Sequence, residues 1–88
     1  MERLKDKIAV ITGASSGIGA GIAALFAKEG AAVVVNYCKS KDSAEKVVEE
    51  IKGLGQRAIA VQADMAEKEA IERLIATTLS EFGRIDIL

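Results

Sequence analysis

Eight consecutive residues, Thr12-Gly13-Ala14-Ser15-Ser16-Gly17-Ile18-Gly19, carry the densest chemistry in this sequence. They fall between a β-branched apolar run and a helical pattern. A ligand's phosphates meet unpaired backbone N–H groups at such a junction, together with the positive end of the helix dipole. The backbone demands explain the glycines: Gly13 permits a tight turn, Gly17 lets the main chain approach a pyrophosphate, and Gly19 lets the helix pack near the strand. Ser15 and Ser16 add hydroxyl donors. The other use of such a segment is a tight strand-to-helix turn that binds nothing. The spacing is G-x-x-x-G-x-G, not the G-x-G-x-x-G of ordinary dinucleotide folds, and it lacks the Gly-Lys-Ser/Thr ending that holds a nucleotide triphosphate.

The elements that must position this loop follow from hydrophobic patterning. Lys7 to Thr12 is a short β-branched run ending at a glycine, which suits a strand buried on both faces of a parallel sheet. From Ser16 to Lys28 the apolar residues Ile18, Ile22, Leu25 and Phe26 share one helical face, small alanines fill in, and Gly30 is a stop. Gly21 lies inside that helix at an expense of about 1 kcal/mol relative to Ala, and close helix packing is the expected reason for it. Ala32 to Tyr37 reads as a second buried strand. Ala44, Val47, Val48, Ile51 and Leu54 then recur at helical spacing, with Asp42 or Ser43 as the cap and Gly53 and Gly55 closing the end. Ala58 to Gln62 is a third strand. Ile71, Leu74, Ile75, Thr78, Leu79 and Phe82 trace a third helix ending at Gly83, and Ile85 to Leu88 opens a fourth strand that is cut short.

Strands alternating with amphipathic helices predict an α/β fold, the first half of a doubly wound Rossmann-type parallel sheet in the order β-α-β-α-β-α-β, truncated in the fourth strand. Residues 1–88 make a single partial domain, with no linker, repeat or low-complexity tract. As a complete chain, they would leave a helix face and a sheet edge open, so poor solubility or self-association is expected. Twelve basic and 13 acidic residues give a net charge of -1. That balance offers no basic stripe for nucleic acid. No run reaches membrane-spanning length, and the N-terminus lacks a signal-peptide pattern. One cysteine and no histidine exclude an internal disulfide and paired Cys/His zinc sites, consistent with a reduced, cytoplasmic protein.

Residues 12–19 resemble the T-G-x-x-x-G-x-G signature of the classical short-chain dehydrogenase/reductase family. The likeness continues through Val33-Val34-Val35-Asn36-Tyr37, Ala63-Asp64-Met65 and Phe82-Gly83-Arg84-Ile85-Asp86-Ile87-Leu88, covering essentially the whole chain. The resemblance implies an NAD(P)-binding domain in which Gly13, Ser15, Ser16 and Ile18 line the pyrophosphate and ribose, and Asp64 and the backbone of Met65 contact the adenine. Asp64 also fits as an N-cap for the third helix, and the two roles are compatible. Ala66 departs from the hydroxyl residue the family often has there. With Gly17, Gly19, Asn36, Tyr37 and Lys39 these residues form the expected cofactor-binding set.

An NAD-specific site carries Asp or Glu about twenty residues beyond the glycine loop, where it holds the ribose 2′-hydroxyl and repels a 2′-phosphate. Asn36 stands there instead. With no carboxylate, and with Lys39, Lys41 and the loop serines nearby, NADP(H) is favoured over NAD(H). The two lysines also fit a solvated surface loop, and Asp42 offsets their charge.

In the family the active site uses a Ser, a Tyr and a Lys, the last two spaced Y-x-x-x-K on a helix beyond an N-N-A-G stretch, with Tyr as general acid or base and Lys lowering its pKa. Leu88 corresponds to the position just before that stretch, so no catalytic residue and no metal ligand is assigned here. Tyr37 and Lys41 match Y-x-x-x-K by count alone, since one ends a strand and the other lies in the next loop. Cys38 has no histidine to activate it and reads as a loop residue. The resemblance implies an oxidoreductase acting on a small carbonyl or alcohol substrate, homo-oligomeric when full length. The alternatives are a non-catalytic nucleotide-binding or interaction module and, less well matched by the glycine spacing, another Rossmann-like enzyme such as a methyltransferase.

Overall fold

A computed structural model describes residues 3–15 and 17–87. Three parallel strands, β1 (Ile8–Ile11), β2 (Ala32–Tyr37) and β3 (Ala58–Gln62), alternate with α1 (Gly17–Lys28), α2 (Lys41–Gly53) and α3 (Lys68–Phe82). The strands lie in the order β1-β2-β3, with Ile8 opposite Ala32 and Val33 opposite Ala58. On the free side of β1 the predicted fourth strand appears as a parallel bridge between Ala9 and Ile87. The Val10 N–H donates to the Ile87 carbonyl at 2.9 Å, and the Asp86 and Ile87 N–H groups both donate to the Ile8 carbonyl. The spatial order is therefore β3-β2-β1 followed by the Ile87 segment, and the direction of winding reverses at β1.

Side-chain alternation along the strands divides the core in two. Ala9, Val33, Val35 and Ala58 meet Ala23 and Ala27 of α1 and Ala44, Val47, Val48 and Ile51 of α2. Val10 and Val34 meet Ala70 and Leu74 of α3 on the other face. Both faces are covered, which is why these strands read as unbroken apolar runs rather than alternating ones. Thr78, buried among the α3 contacts, returns its hydroxyl to the Leu74 carbonyl at 2.9 Å. At the far end of the same layer the Arg57 guanidinium lies 4.9 Å from the centre of the Phe82 ring, a cation–π contact.

The α1 face differs from the expected one. Ala23 and Ala27 are its buried residues, whereas Ile18 is 84% exposed and Ile22 and Leu25 also face outward. Alanines meet the sheet directly, Ile18, Ile22 and Leu25 turn away, and Phe26, half-buried, is the large apolar residue of the predicted stripe that packs against the core. Gly21 does not serve close packing either: it is exposed, and a Cβ there would meet nothing within 4 Å. The helix ends as predicted, with the Gly30 N–H donating to the Ala27 carbonyl and the Ala31 N–H to Phe26, a Schellman arrangement.

Both later helices start differently from expectation. Ser40 precedes α2 without a side-chain cap, and Asp42 and Ser43 lie inside its first turn. Leu54, read as the last residue of the α2 stripe, is exposed just past the helix end. Glu67 precedes α3, so Asp64 is not that helix's cap.

Two ionic contacts tie the chain's ends to this frame. Arg3 makes a forked contact to Glu29 beyond α1, with Nε to Oε1 and a terminal guanidinium nitrogen to Oε2 each at 3.1 Å. That hydrogen-bonded guanidinium holds the Glu29 carboxyl at about 2. Asp86 accepts from the Ile8 N–H and from Arg84 Nε, each at 2.9 Å, while Arg84 also donates to the Asp6 carbonyl. The Ile8 N–H, against a smaller opposing effect of desolvation, and then Arg84 hold the Asp86 carboxyl below its ordinary range.

Candidate functional site

Because the strands are parallel, the segments that follow β1, β2 and β3 emerge at one edge of the sheet. The first is the glycine loop. It leaves β1, which is flanked by β2 on one side and the Ile87 segment on the other. Open α/β sheets bind ligands at such a reversal of strand order, beyond the carboxyl ends of the strands.

Gly13 and Gly17 both have φ +61°, a conformation that disfavours any residue with a Cβ. A Cβ on Gly17 would meet nothing within 4 Å, so its surface is open to a ligand. Gly19 has a different role from the one expected. A methyl group there would run into the Gly13 carbonyl oxygen and come within 3.0 Å of Ala14 Cα, so its close approach is to the loop and not to the strand. Ser15 is half-buried and Ile18 projects from the first turn of α1; Ser16 lies outside the described residues. The first N–H groups of α1 have no carbonyl partners within the helix. No acidic residue stands in that turn to repel an anion.

Asn36 lies where the reading of the strand end placed it, but its side chain does not face outward. It is 2% exposed. Its Oδ1 accepts from the Gly13 N–H at 3.2 Å, and its Nδ2 donates to the Val61 carbonyl at 3.3 Å and the Ala63 carbonyl at 3.2 Å. Its own carbonyl accepts from the Ala14 N–H at 3.0 Å. The position at the strand end was legible; the inward turn of the carboxamide was not, because a continuous apolar run conceals which face each residue takes.

Beyond it Tyr37 is half-buried, and Cys38 and Lys39 are exposed. The Cys38 carbonyl accepts from Gln62 Nε2 at 3.1 Å, which joins the loop after β2 to the end of β3. Tyr37 and Lys41 do not share a helix, and Lys41 pairs with Glu45 at 3.8 Å. In the third segment Asp64 Oδ1 accepts from the Ala66 N–H at 2.9 Å, and the Asp64 carbonyl accepts from the Glu67 N–H. This short turn leaves Met65 exposed. The three segments thus bring together Gly13, Ser15, Gly17, Ile18, Gly19, Tyr37, Lys39, Asp64 and Met65 along one edge. An open groove of about 940 Å³ between α2 and β3, lined by Glu45, Lys46, Glu49 and Ile59 among others, has no part in that constellation.

The glycine loop meets the requirements of a dinucleotide pyrophosphate on its own geometry: two left-handed glycines, an open Gly17 and a helix N-terminus free of acidic residues.

A family model described as short chain dehydrogenase matches residues 7–88. Versicolorin reductase 1 of Aspergillus parasiticus is 52% identical over 86 residues, which cover 98% of this chain and 33% of that protein. A short chain dehydrogenase from Burkholderia cenocepacia, solved in complex with NADP, superposes with a TM-score of 0.93 at 44% identity, covering 97% of this chain and 35% of the other. A 7α-hydroxysteroid dehydrogenase complexed with NADH and 7-oxo glycochenodeoxycholic acid gives 0.91 at 41% identity, covering 97% and 33%. The chain spans about a third of the length of the curated relatives it matches.

Proposed function

This chain belongs to the short chain dehydrogenase family, and on that premise we propose that it is the nucleotide-binding part of an NAD(P)-dependent oxidoreductase acting on a carbonyl or alcohol substrate. The observation that carries the reading is the loop at the reversal of strand order, with Gly13 and Gly17 at positive φ and Gly19 against the Gly13 carbonyl. Bound there, a nicotinamide cofactor supplies or accepts a hydride.

The residues of this chain hold the cofactor. Gly13, Ser15, Ser16, Gly17, Ile18 and Gly19 take the pyrophosphate and the adjoining ribose at the positive end of α1. Asp64 and the Met65 backbone take the adenine: Asp64 Oδ1 already accepts from Ala66, and the carboxylate's other oxygen is available to an exocyclic amine. Tyr37 and Lys39 stand beside the adenosine ribose.

NADP(H) is the preferred cofactor in this reading. Neither Asn36 nor Tyr37 carries a carboxylate to repel a 2′-phosphate, and Lys39 offers an exposed cation. Lys41 contributes less, being shared with Glu45. The test is a pair of titrations, NADPH and NADH, on the same preparation. Tighter NADPH binding supports the assignment, equal binding removes the preference, and binding of neither removes the dinucleotide reading.

A further inference from the structure

Asn36 is the polar member of an otherwise apolar buried strand, and its four side-chain contacts, the longest a 3.5 Å bond from Nδ2 to the Tyr37 carbonyl, explain the choice of residue. One end must accept, because it faces the Gly13 N–H; the other must donate, because it faces three carbonyl oxygens, those of Tyr37, Val61 and Ala63. A carboxamide does both at once. A carboxylate cannot donate, and a hydroxyl is too short to span the set. The orientation with Nδ2 toward Val61 and Ala63 satisfies every partner, and the reverse orientation satisfies none of them.

These bonds join segments that the sheet holds apart. β2 lies between β1 and β3, so the loops after β1 and β3 are not neighbours in the hydrogen-bonded ladder. Asn36 reaches across β2 in both directions, to Gly13 on one side and to Ala63 on the other. Its main chain reinforces the link through the Ala14 N–H, and the Tyr37 carbonyl accepts from the Ala63 N–H at 2.9 Å.

We infer that Asn36 is a positioning residue: its carboxamide fixes the turn at Gly13 and the start of the Ala63–Asp64 segment in one arrangement, without itself touching the cofactor. The inference rests on the dinucleotide reading, in which the first segment takes the pyrophosphate and the second the adenine. A cofactor bridging both segments then binds an arrangement that is already formed, and avoids the cost of ordering it.

The test uses the full chain as its natural gene encodes it, with Asn36→Ala titrated against NADPH and NADH. A positioning role raises both dissociation constants by about tenfold while leaving their ratio within about twofold of wild type. A changed ratio would mean that Asn36 contacts the ribose or its phosphate, and unchanged constants in a folded variant would mean that the link is idle; either overturns the inference. Amide hydrogen exchange at Gly13 in the unliganded wild type supplies a readout that needs no folded variant. Slow exchange supports the held turn, and exchange at the rate of an open loop refutes it. If the wild type binds neither dinucleotide, the functional reading falls, and Gly13 exchange still decides whether Asn36 holds the loop.

Discussion

The carbonyl oxygen of Gly13 occupies the space that a Cβ on Gly19 would need. The contact closes the glycine loop onto the first turn of α1, so the loop's shape depends on a residue that lies within the helix. Gly19→Ala should raise helix propensity by close to 1 kcal/mol. The clash is with backbone, which cannot swing aside as a side chain can, so the loop itself must move. Dinucleotide affinity is expected to fall at least about tenfold, and thermal stability should not rise. A Gly19→Ala protein with unaltered affinity would show that the loop tolerates the displacement.

Gly21, two residues further along, is the internal control. It is exposed on the same helix, and a Cβ there would meet no neighbour within 4 Å. Gly21→Ala removes the entropy cost of glycine without a steric penalty. Unfolding free energy is expected to rise by about 0.4–1 kcal/mol, with cofactor affinity unchanged. Urea unfolding of the two alanine variants side by side makes the comparison.

This contrast also shows what residue spacing conveys and what it leaves out. The G-x-x-x-G-x-G pattern located the loop because each glycine answers a backbone demand, and backbone demands recur with fixed spacing. Periodicity says which residues share a helix face, not what stands opposite that face, so it does not show that Gly21 borders open space. Spacing puts Ile18, Ile22 and Leu25 on one helical face for the same reason without saying that this face turns outward while Ala23 and Ala27 meet the sheet. Asp64 was tied to the start of α3 by proximity in sequence, whereas its Oδ1 serves the Ala66 N–H in a turn before the helix begins. The link from Asp86 to Ile8 joins residues 78 positions apart and left no local pattern to read.

The carboxylates of Glu29 and Asp86 should shape the chain's response to acid. Glu29 is held at about 2 by Arg3, and Asp86 is held below its usual range by the Ile8 N–H and Arg84. Depressed folded-state values mean that the stabilisation is present above the unfolded carboxylate range, near pH 4, and is lost as pH falls through the folded values. Glu29→Gln and Asp86→Ala should each be less stable than wild type at neutral pH, and each difference should shrink as the pH falls from about 4 toward 2. Denaturant unfolding across that interval is the measurement. A difference that persists unchanged at the acid end would assign the effect to packing. Added salt should weaken the Arg3–Glu29 contribution in particular, since Arg3 is largely exposed.

In the proposed reading Lys39 distinguishes the two nicotinamide cofactors without a part in the fold. It is exposed in the loop after β2, and a cation beside the adenosine ribose would act on the 2′-phosphate that NADPH carries and NADH lacks. Exposed ion pairs are worth at most about 1 kcal/mol, so Lys39→Ala should weaken NADPH binding by about two- to fivefold and leave NADH binding nearly unchanged. The NADPH effect should diminish at high salt. Equal losses for both cofactors would place the lysine elsewhere than beside the 2′-phosphate.

The end of β2 is an obvious place to install a carboxylate for NADH, and the buried side of that strand end is the wrong position for it. Asn36→Asp would replace the donating Nδ2 with an oxygen facing the Val61 and Ala63 carbonyls, where like partial charges oppose one another. A buried carboxylate so placed loses its donor contacts and repels its neighbours, and leaving such polar groups unpaired costs about 1–3 kcal/mol or more. Asn36→Asp should therefore lower stability and weaken both cofactors without reversing the preference between them. Tyr37→Asp puts the charge one residue later, at a half-buried position that joins that hydrogen-bond set through its main-chain carbonyl and not through its side chain, and should weaken NADPH more than NADH through repulsion of the 2′-phosphate. Titrating both cofactors against both variants decides the matter: an Asn36→Asp protein that stays stable and gains NADH preference would mean that the carboxamide turns outward when the cofactor binds.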